Sequence, residues 1–219
     1  MSADREPATS PKRVRVDGDR LSHFLWKLNR SYCRRVHRFG WSGADPLPPR
    51  GPGILVCNHR SSVDPFILAA ATRRVLSYLI AAEYYAIPGP RWLFRWMHCV
   101  PVRRNRQEVS TVRRALHALR EGRILCIFPE GGIDRGFEAP ALGVGYLAWR
   151  SGAPVFPACV TGTPRGRSVW SALVTRSHSC ARFGTPLLLG ADRRDRPDRK
   201  RIAEWTAHLT EIINGLGSK

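Results

Sequence analysis

The sequence predicts an α/β fold, with a mixed, largely parallel sheet flanked by helices and preceded by an N-terminal amphipathic helix. Three observations predict it. Short apolar runs of strand length recur along the chain, as at 54–57, 124–128 and 155–160. Longer stretches with helical apolar spacing, such as 107–120, separate them, and this alternation is the pattern of parallel sheets. Ahead of them all, residues 21–39 carry a single apolar stripe at helical period.

Taken in order, residues 1–19 are polar, lack periodicity and read as a disordered tail. On a wheel of about 100° per residue, Leu21, Phe24, Leu25, Leu28, Tyr32, Val36 and Phe39 share one third of the helix surface. Lys27, Arg30, Arg34 and Arg38 lie opposite, Arg35 sits at the edge of the stripe, and Gly40 is the expected stop. A Pro/Gly-rich linker over 44–53 leads to a buried strand at 54–57 and a helix over 65–73. A strand at 78–82, an aromatic-rich helix at 91–97 and a short strand at 99–102 come next. The helix over 107–120 turns Val109, Val112, Leu116 and Leu119 to one face and stops at Gly122. A strand at 124–128, a helix at 141–150 and strands at 155–160 and 180–184 complete the sheet. The Arg/Asp run 192–200 reads as a solvated loop. A final helix presents Ile202, Trp205, Leu209, Ile212 and Ile213 on one face.

Composition narrows the partners. The 219 residues suit one domain with a helical preface and a single sizeable core. Thirty-six Lys and Arg against seventeen Asp and Glu leave a net charge of +19. Such a surface attracts nucleic acid, an anionic membrane or phosphorylated and acidic ligands. The six cysteines sit singly, three of them within apolar runs, so buried free thiols in a reducing compartment explain them better than disulfides or zinc. No signal-peptide core and no apolar stretch of about eighteen residues is present, so a cytoplasmic chain without a spanning helix is expected.

Two segments carry the chemistry. Asn58-His59-Arg60-Ser61-Ser62-Val63-Asp64 directly follows one predicted strand, and Phe128-Pro129-Glu130-Gly131-Gly132 ends another. In parallel sheets, ligands gather beyond the carboxyl ends of the strands, so His59 and Glu130 belong to one rim. On a continuous helix His59 and Asp64 would stand about 140° apart and never meet. Asp64 precedes Pro65, however, which disfavours helical geometry at Asp64 and starts a helix at Pro65. Residues 60–63 can then turn the carboxylate back onto the imidazole. That contact would fix the ring tautomer and leave the other nitrogen to take a proton. The competing reading makes Asp64 a helix cap and His59 a polar strand end.

In this order and spacing the two blocks resemble the N-H-x-x-x-x-D and F-P-E-G blocks of the glycerolipid acyltransferase family typified by lysophosphatidate acyltransferase. The resemblance runs from Gly51 to Leu189. It implies that His59 and Asp64 are catalytic, and that Asn58, Glu130, Gly131 and Gly132 belong to the substrate-binding blocks. The stretch Val100-Pro101-Val102-Arg103-Arg104 is similar to a second block, implying that Arg104, with Arg103 beside it, holds the acceptor phosphate. Ala153-Pro154-Val155-Phe156-Pro157 matches a Pro-rich fourth block.

The chain departs from the family in places. Gly132 and Ile133 stand where threonine and arginine are usual, His98 where glycine is usual, and Leu142 where lysine often precedes Gly143. Arg135 is a candidate replacement cation.

The implied activity is transfer of an acyl group from acyl-CoA or acyl carrier protein to a lysophosphatidate hydroxyl in phospholipid biosynthesis, with no metal or redox cofactor. Another lyso-lipid or hydroxylated lipid is the alternative acceptor. The implied layout is a tail over 1–19, a membrane-interface helix over 20–41 and a catalytic domain over 42–219. The enzyme is expected to sit peripherally on the anionic inner face of the cell membrane. A nucleic-acid-binding protein would explain the charge but not the two blocks, and no helix-turn-helix or RNP strand is present. No nucleic acid partner is expected.

Overall fold

The computed structural model describes residues 20–42, 47–102, 109–129, 141–165, 169–189 and 199–218. In chain order these form α1 (Arg20–His37), β1 (Gly40–Ser42), β2 (Gly53–Cys57), α2 (Asp64–Ala71), β3 (Leu76–Ala81), α3 (Ala82–Tyr85) and α4 (Arg91–Trp96). There follow β4 (Val100–Val102), α5 (Val109–Arg120), β5 (Ile124–Ile127), α6 (Ala141–Ser151), β6 (Val155–Thr161), α7 (Val169–Val174), β7 (Cys180–Phe183) and α8 (Arg199–Gly217).

The strands build one seven-stranded sheet in the order β1-β7-β6-β2-β5-β3-β4. Five strands from β6 to β4 run parallel, β7 opposes β6, and β1 is parallel to β7. This is the mixed, mostly parallel sheet the sequence predicts. Helices cover both faces, so the central strands are apolar on both sides. Leu55 and Cys57 of β2 point to the core under α1 and α2. Ile54 and Val56 point to the core under α5, α6 and α8, with Leu119, Leu147, Leu209 and Ile213. Arg74 ties the chain together at the opposite end from the functional rim, donating to Pro48 O, Gly51 O and Gly122 O at 2.8, 3.2 and 2.7 Å. All six cysteines are free thiols, five of them buried. Burial pushes the Cys33 thiol up to about 12 and Cys99 up to about 11.

The elements β1, α3 and α7 were not predicted; each is six residues or shorter and too brief to show a period. Helix α1 ends at His37 and not at Gly40, because Arg38 turns left-handed (φ 38°) and Gly40–Ser42 continues as a strand. Its last carbonyls, Val36 O and His37 O, accept from the backbone N–H groups of Ser177 and Ser179.

The first part of the predicted apolar stripe is not buried, although Tyr32 and Phe39 further along it pack on the core. Leu21, Phe24 and Leu28 are exposed, Phe24 to 60% and Leu28 to 57%. The face against α2 carries Trp26, Asn29, Arg30 and Cys33. Trp26 Nε1 donates to Thr72 O at 2.8 Å, Asn29 Nδ2 to Phe66 O at 2.9 Å, and Arg30 Nη1 to Ala70 O at 2.7 Å. The last carbonyls of a helix have no partner within it and bear partial negative charge. Ala70 O is such a carbonyl and the Arg30 cation meets it, while Trp26 bonds the C-cap carbonyl of Thr72 and Asn29 the first-turn carbonyl of Phe66. Arg30 is further held between Trp26 and Trp41, with its guanidinium carbon 5.0 and 4.4 Å from the ring centroids.

His98 adopts φ 53°, the left-handed region where L-residues are disfavoured by about 1–2 kcal/mol. It closes α4, with His98 N bonded to Arg95 O and Cys99 N to Phe94 O, the paired bonds of a Schellman turn. The backbone shape explains why glycine is usual at this position.

Candidate active site

The site begins where β2 runs out. Asn58 continues the β2–β6 pairing with its side chain: Asn58 Nδ2 donates to Val160 O at 2.9 Å, and Val160 N donates to Asn58 Oδ1 at 2.7 Å. This amide is buried and engaged at both ends, and it joins two strands. It fixes the direction in which the chain leaves the sheet.

His59 follows, and residues 60–63 form the turn that sequence reasoning requires. Helix α2 starts at Asp64 itself, one residue earlier than Pro65 suggests. The Asp64 carboxylate is fully buried, and its charge is met by four donors. His59 Nδ1 lies 3.2 Å from Asp64 Oδ2, and the backbone N–H groups of Arg60 and Ser61 reach the same oxygen at 2.7 Å each. Thr163 Oγ1 donates to Asp64 Oδ1 at 2.8 Å. Oδ2 thus takes three of these donors and Oδ1 the fourth. The bonds run back to the preceding turn and across to the segment after β6, so Asp64 does more than cap α2.

The imidazole edge that carries Nδ1 therefore faces the protein, and Nε2 lies on the opposite edge. His59 keeps 16% of its side chain exposed, against 0% for Asp64. Its ring stacks on Phe128, the residue after β5, with centroids 4.3 Å apart and planes 24° apart. Phe128 in turn stacks on Tyr78 at 6.1 Å. Tyr78 donates its hydroxyl to Pro65 O at 2.8 Å, and burial raises its ionisation well above the ordinary value, keeping it a neutral donor. Stacking thus brings the first residue of the F-P-E-G block onto the His block. Glu130, Gly131, Gly132, Arg103, Arg104 and Arg135 lie outside the described residues.

Further along the same rim, beyond β3 and β4, a cleft of about 520 Å³ is lined by Ala82, Tyr85, Ala86, Arg91, Pro101, Ser110 and Arg114. Arg114 Nη2 lies 3.3 Å from Pro101 O. Two arginines therefore border a cleft beside the strand that leads into Arg103 and Arg104. Among the described residues no group of three His, Cys, Asp or Glu is placed to hold a metal ion, and no helix is long and apolar enough to cross a membrane.

Phe128 and Thr163 are the members of this arrangement that sequence reasoning missed as site residues. Phe128 opens a recognised block, so its neighbourhood to His59 was within reach. Thr163 follows a strand in an unremarkable Thr-Gly-Thr-Pro run and carries no local signal.

The acyltransferase family model matches residues 38–161, more than half of the chain, and spans the His block and the F-P-E-G block. The chain belongs to the acyltransferase family. A Bacillus subtilis relative named 1-acyl-sn-glycerol-3-phosphate acyltransferase is 26% identical over 176 residues, covering 79% of this chain and 85% of that protein. A Mycoplasma pneumoniae protein named "Probable 1-acyl-sn-glycerol-3-phosphate acyltransferase" is 30% identical over 130 residues, 52% of this chain. A chloroplastic acyltransferase of Arabidopsis thaliana with the same activity in its name is 25% identical over 150 residues. The chain spans under half the length of the latter two, 46% and 42%. The crystal structure of the 1-acyl-sn-glycerophosphate acyltransferase PlsC from Thermotoga maritima has the same fold, with a TM-score of 0.66 at 20% identity over 89% of this chain and 79% of that one.

Proposed function

We propose that this acyltransferase moves a fatty acyl group from a thioester, of coenzyme A or of acyl carrier protein, to the hydroxyl of lysophosphatidate. The observation that carries the reading is the 3.2 Å contact between His59 Nδ1 and the buried Asp64 carboxylate. It holds a proton on Nδ1 and makes Nε2 the basic atom. Nε2 takes the acceptor's hydroxyl proton as the oxygen attacks the thioester carbonyl. The tetrahedral adduct then collapses, the C–S bond breaks, and the thiolate leaves with the proton returned from the imidazolium. The acyl thioester is a co-substrate, and the step as written calls on no other cofactor.

The acceptor assignment draws on the names of the Bacillus and Arabidopsis relatives and on the cleft bordered by Arg91 and Arg114, whose cations suit a phosphorylated head. Arg104, Arg103 and Glu130 are proposed to complete it. The alternative, a lyso-lipid without a phosphomonoester, is favoured by Ile133 and Leu142 standing where the family places cations. A competition assay offering lysophosphatidate and a zwitterionic lyso-lipid together, with acyl-CoA and acyl carrier protein as donors, separates them. Preference for the zwitterionic lipid would overturn the acceptor while leaving the His59 chemistry intact.

The exposed Leu21, Phe24 and Leu28, with Lys27, Arg34 and Arg35 also exposed on α1 and Arg38 just after it, support a peripheral position on an anionic bilayer, with apolar residues at the acyl boundary and cations on headgroups. The inner face of the cell membrane is the proposed location. The division into a tail over 1–19, an interface helix over 20–41 and a catalytic domain over 42–219 belongs to the same proposal.

A further inference from the structure

We propose that Thr163 is a positioning residue for acyl transfer, its hydroxyl fixing the plane of the Asp64 carboxylate and through it the ring of His59; this rests on the site reading above. Three of the four donors to Asp64 come from residues within five positions of it, and all three converge on Oδ2. One anchored oxygen leaves a carboxylate able to pivot about that point. The Thr163 hydroxyl, bonded to Oδ1 at 2.8 Å, supplies the second point that defines the plane. The direction of that bond is forced, because an ionised carboxylate only accepts. Threonine's branched Cβ restricts its first torsion, so the hydroxyl is aimed before the bond forms.

The fold places this side chain deliberately. After β6 the chain reverses at Gly162, where φ is +71° and a Cβ would lie 1.9 Å from His178 O. Only glycine fits there, and the reversal brings Thr163 under the carboxylate. On either side the segment is held through its backbone: Val160 N and O by the Asn58 amide, and Pro164 O by Ser61 Oγ at 2.8 Å. Thr163 alone in this stretch uses its side chain on the His block. Removing its hydroxyl therefore deletes the Asp64 bond while the neighbouring contacts keep the segment in place.

The test uses the full chain with Thr163→Val, Thr163→Ala and Thr163→Ser, each also placed in an Asp64→Ala background. Misplacement of a base by a fraction of an ångström lowers turnover by roughly tenfold or more, so Thr163→Val and Thr163→Ala should lose about ten- to thirtyfold in kcat with KM near wild type. Thr163→Ser, which keeps the donor on an unbranched side chain, should stay within about threefold. In the Asp64→Ala background none should lower the residual rate further, because a residue acting through Asp64 has nothing left to position. Long-range 1H–15N correlation spectra of His59 add a readout independent of donor and acceptor: one tautomer in wild type and Thr163→Ser, a mixture in Thr163→Val and Thr163→Ala. Retained kcat with a single tautomer, or equal losses in both backgrounds, would overturn the proposal. Wild-type turnover in His59→Ala would instead sink the site reading, and the tautomer spectra would still decide the role of Thr163.

Discussion

The turn at Asn58–Asp64 and the inner face of α1 both engage polar side chains in hydrogen bonds, and they do so to opposite ends. On α1 the donors of Trp26, Asn29 and Arg30 finish on backbone carbonyls in and just beyond α2. Those bonds hold α1 on α2 and end there. At the turn the bonds finish on one side-chain carboxylate, Asp64, which passes its constraint to a histidine at the rim. A buried polar network is structural when it terminates on backbone. It becomes a candidate for chemistry when it terminates on a titratable group with a second titratable group beside it.

The largest effect that sharpens this contrast is at Asp64. Asp64→Asn should lower kcat by about 10²–10⁴-fold, the range of general acid–base contributions. The amide keeps the shape but loses the charge that holds a proton on His59 Nδ1. Steady-state kinetics beside a circular dichroism spectrum check that activity falls while the fold survives.

On α1 the order of effects should reverse. Trp26→Phe and Arg30→Met remove hydrogen bonds worth about 1 kcal/mol each, more where charge is involved, so denaturant midpoints should fall while kcat of the folded enzyme stays near wild type. Phe24→Ser with Leu28→Ser should leave the midpoint almost unchanged and weaken co-sedimentation with anionic vesicles. If the outer pair instead destabilised the protein, the stripe would be packing surface and not a lipid contact.

How legible this was in the sequence follows from the same contrast. The strands β2, β5 and β6 were readable because both faces are buried and each is a plain apolar run. The helices α5 and α8 were readable because each has an apolar face on the core, although Val109 at the start of α5 is exposed. The α1 wheel found a genuine stripe but could not say which face packs, since the partner surface is the polar end of α2, some forty residues away. Asp64 was readable through Pro65, which implied the turn. Thr163 was not, because its partner is 99 residues distant and nothing in the intervening chain marks the pairing. His98 was visible as a departure from the family pattern, and only the left-handed backbone gave the reason.

A moderate effect is expected with pH. His37 is buried between Tyr32 Oη and Ser177 Oγ, each at 2.9 Å, and burial lowers it from the ordinary 6.5. Between that lowered value and 6.5 the unfolded chain binds more protons than the native one, so stability rises with pH across the window. Wild type should thus lose stability on acidification below about 6.5 relative to His37→Gln, measured as the difference between their denaturant midpoints at each pH.

The smallest effect is at His98. Replacing it by glycine relieves about 1–2 kcal/mol of left-handed strain and adds about 0.4–1 kcal/mol of unfolded-state entropy, a net gain of roughly 0.5–1 kcal/mol. A lower midpoint in His98→Gly would mean that the imidazole makes compensating contacts.

The central claim, that the polar network at the rim serves proton transfer at His59, is tested most directly by acyl transfer in His59→Ala. The labelled product formed from acyl thioester and lysophosphatidate is measured beside wild type at equal folded concentration. The account predicts a loss of at least about 10²-fold with an unchanged melting temperature; turnover at the wild-type rate would contradict it.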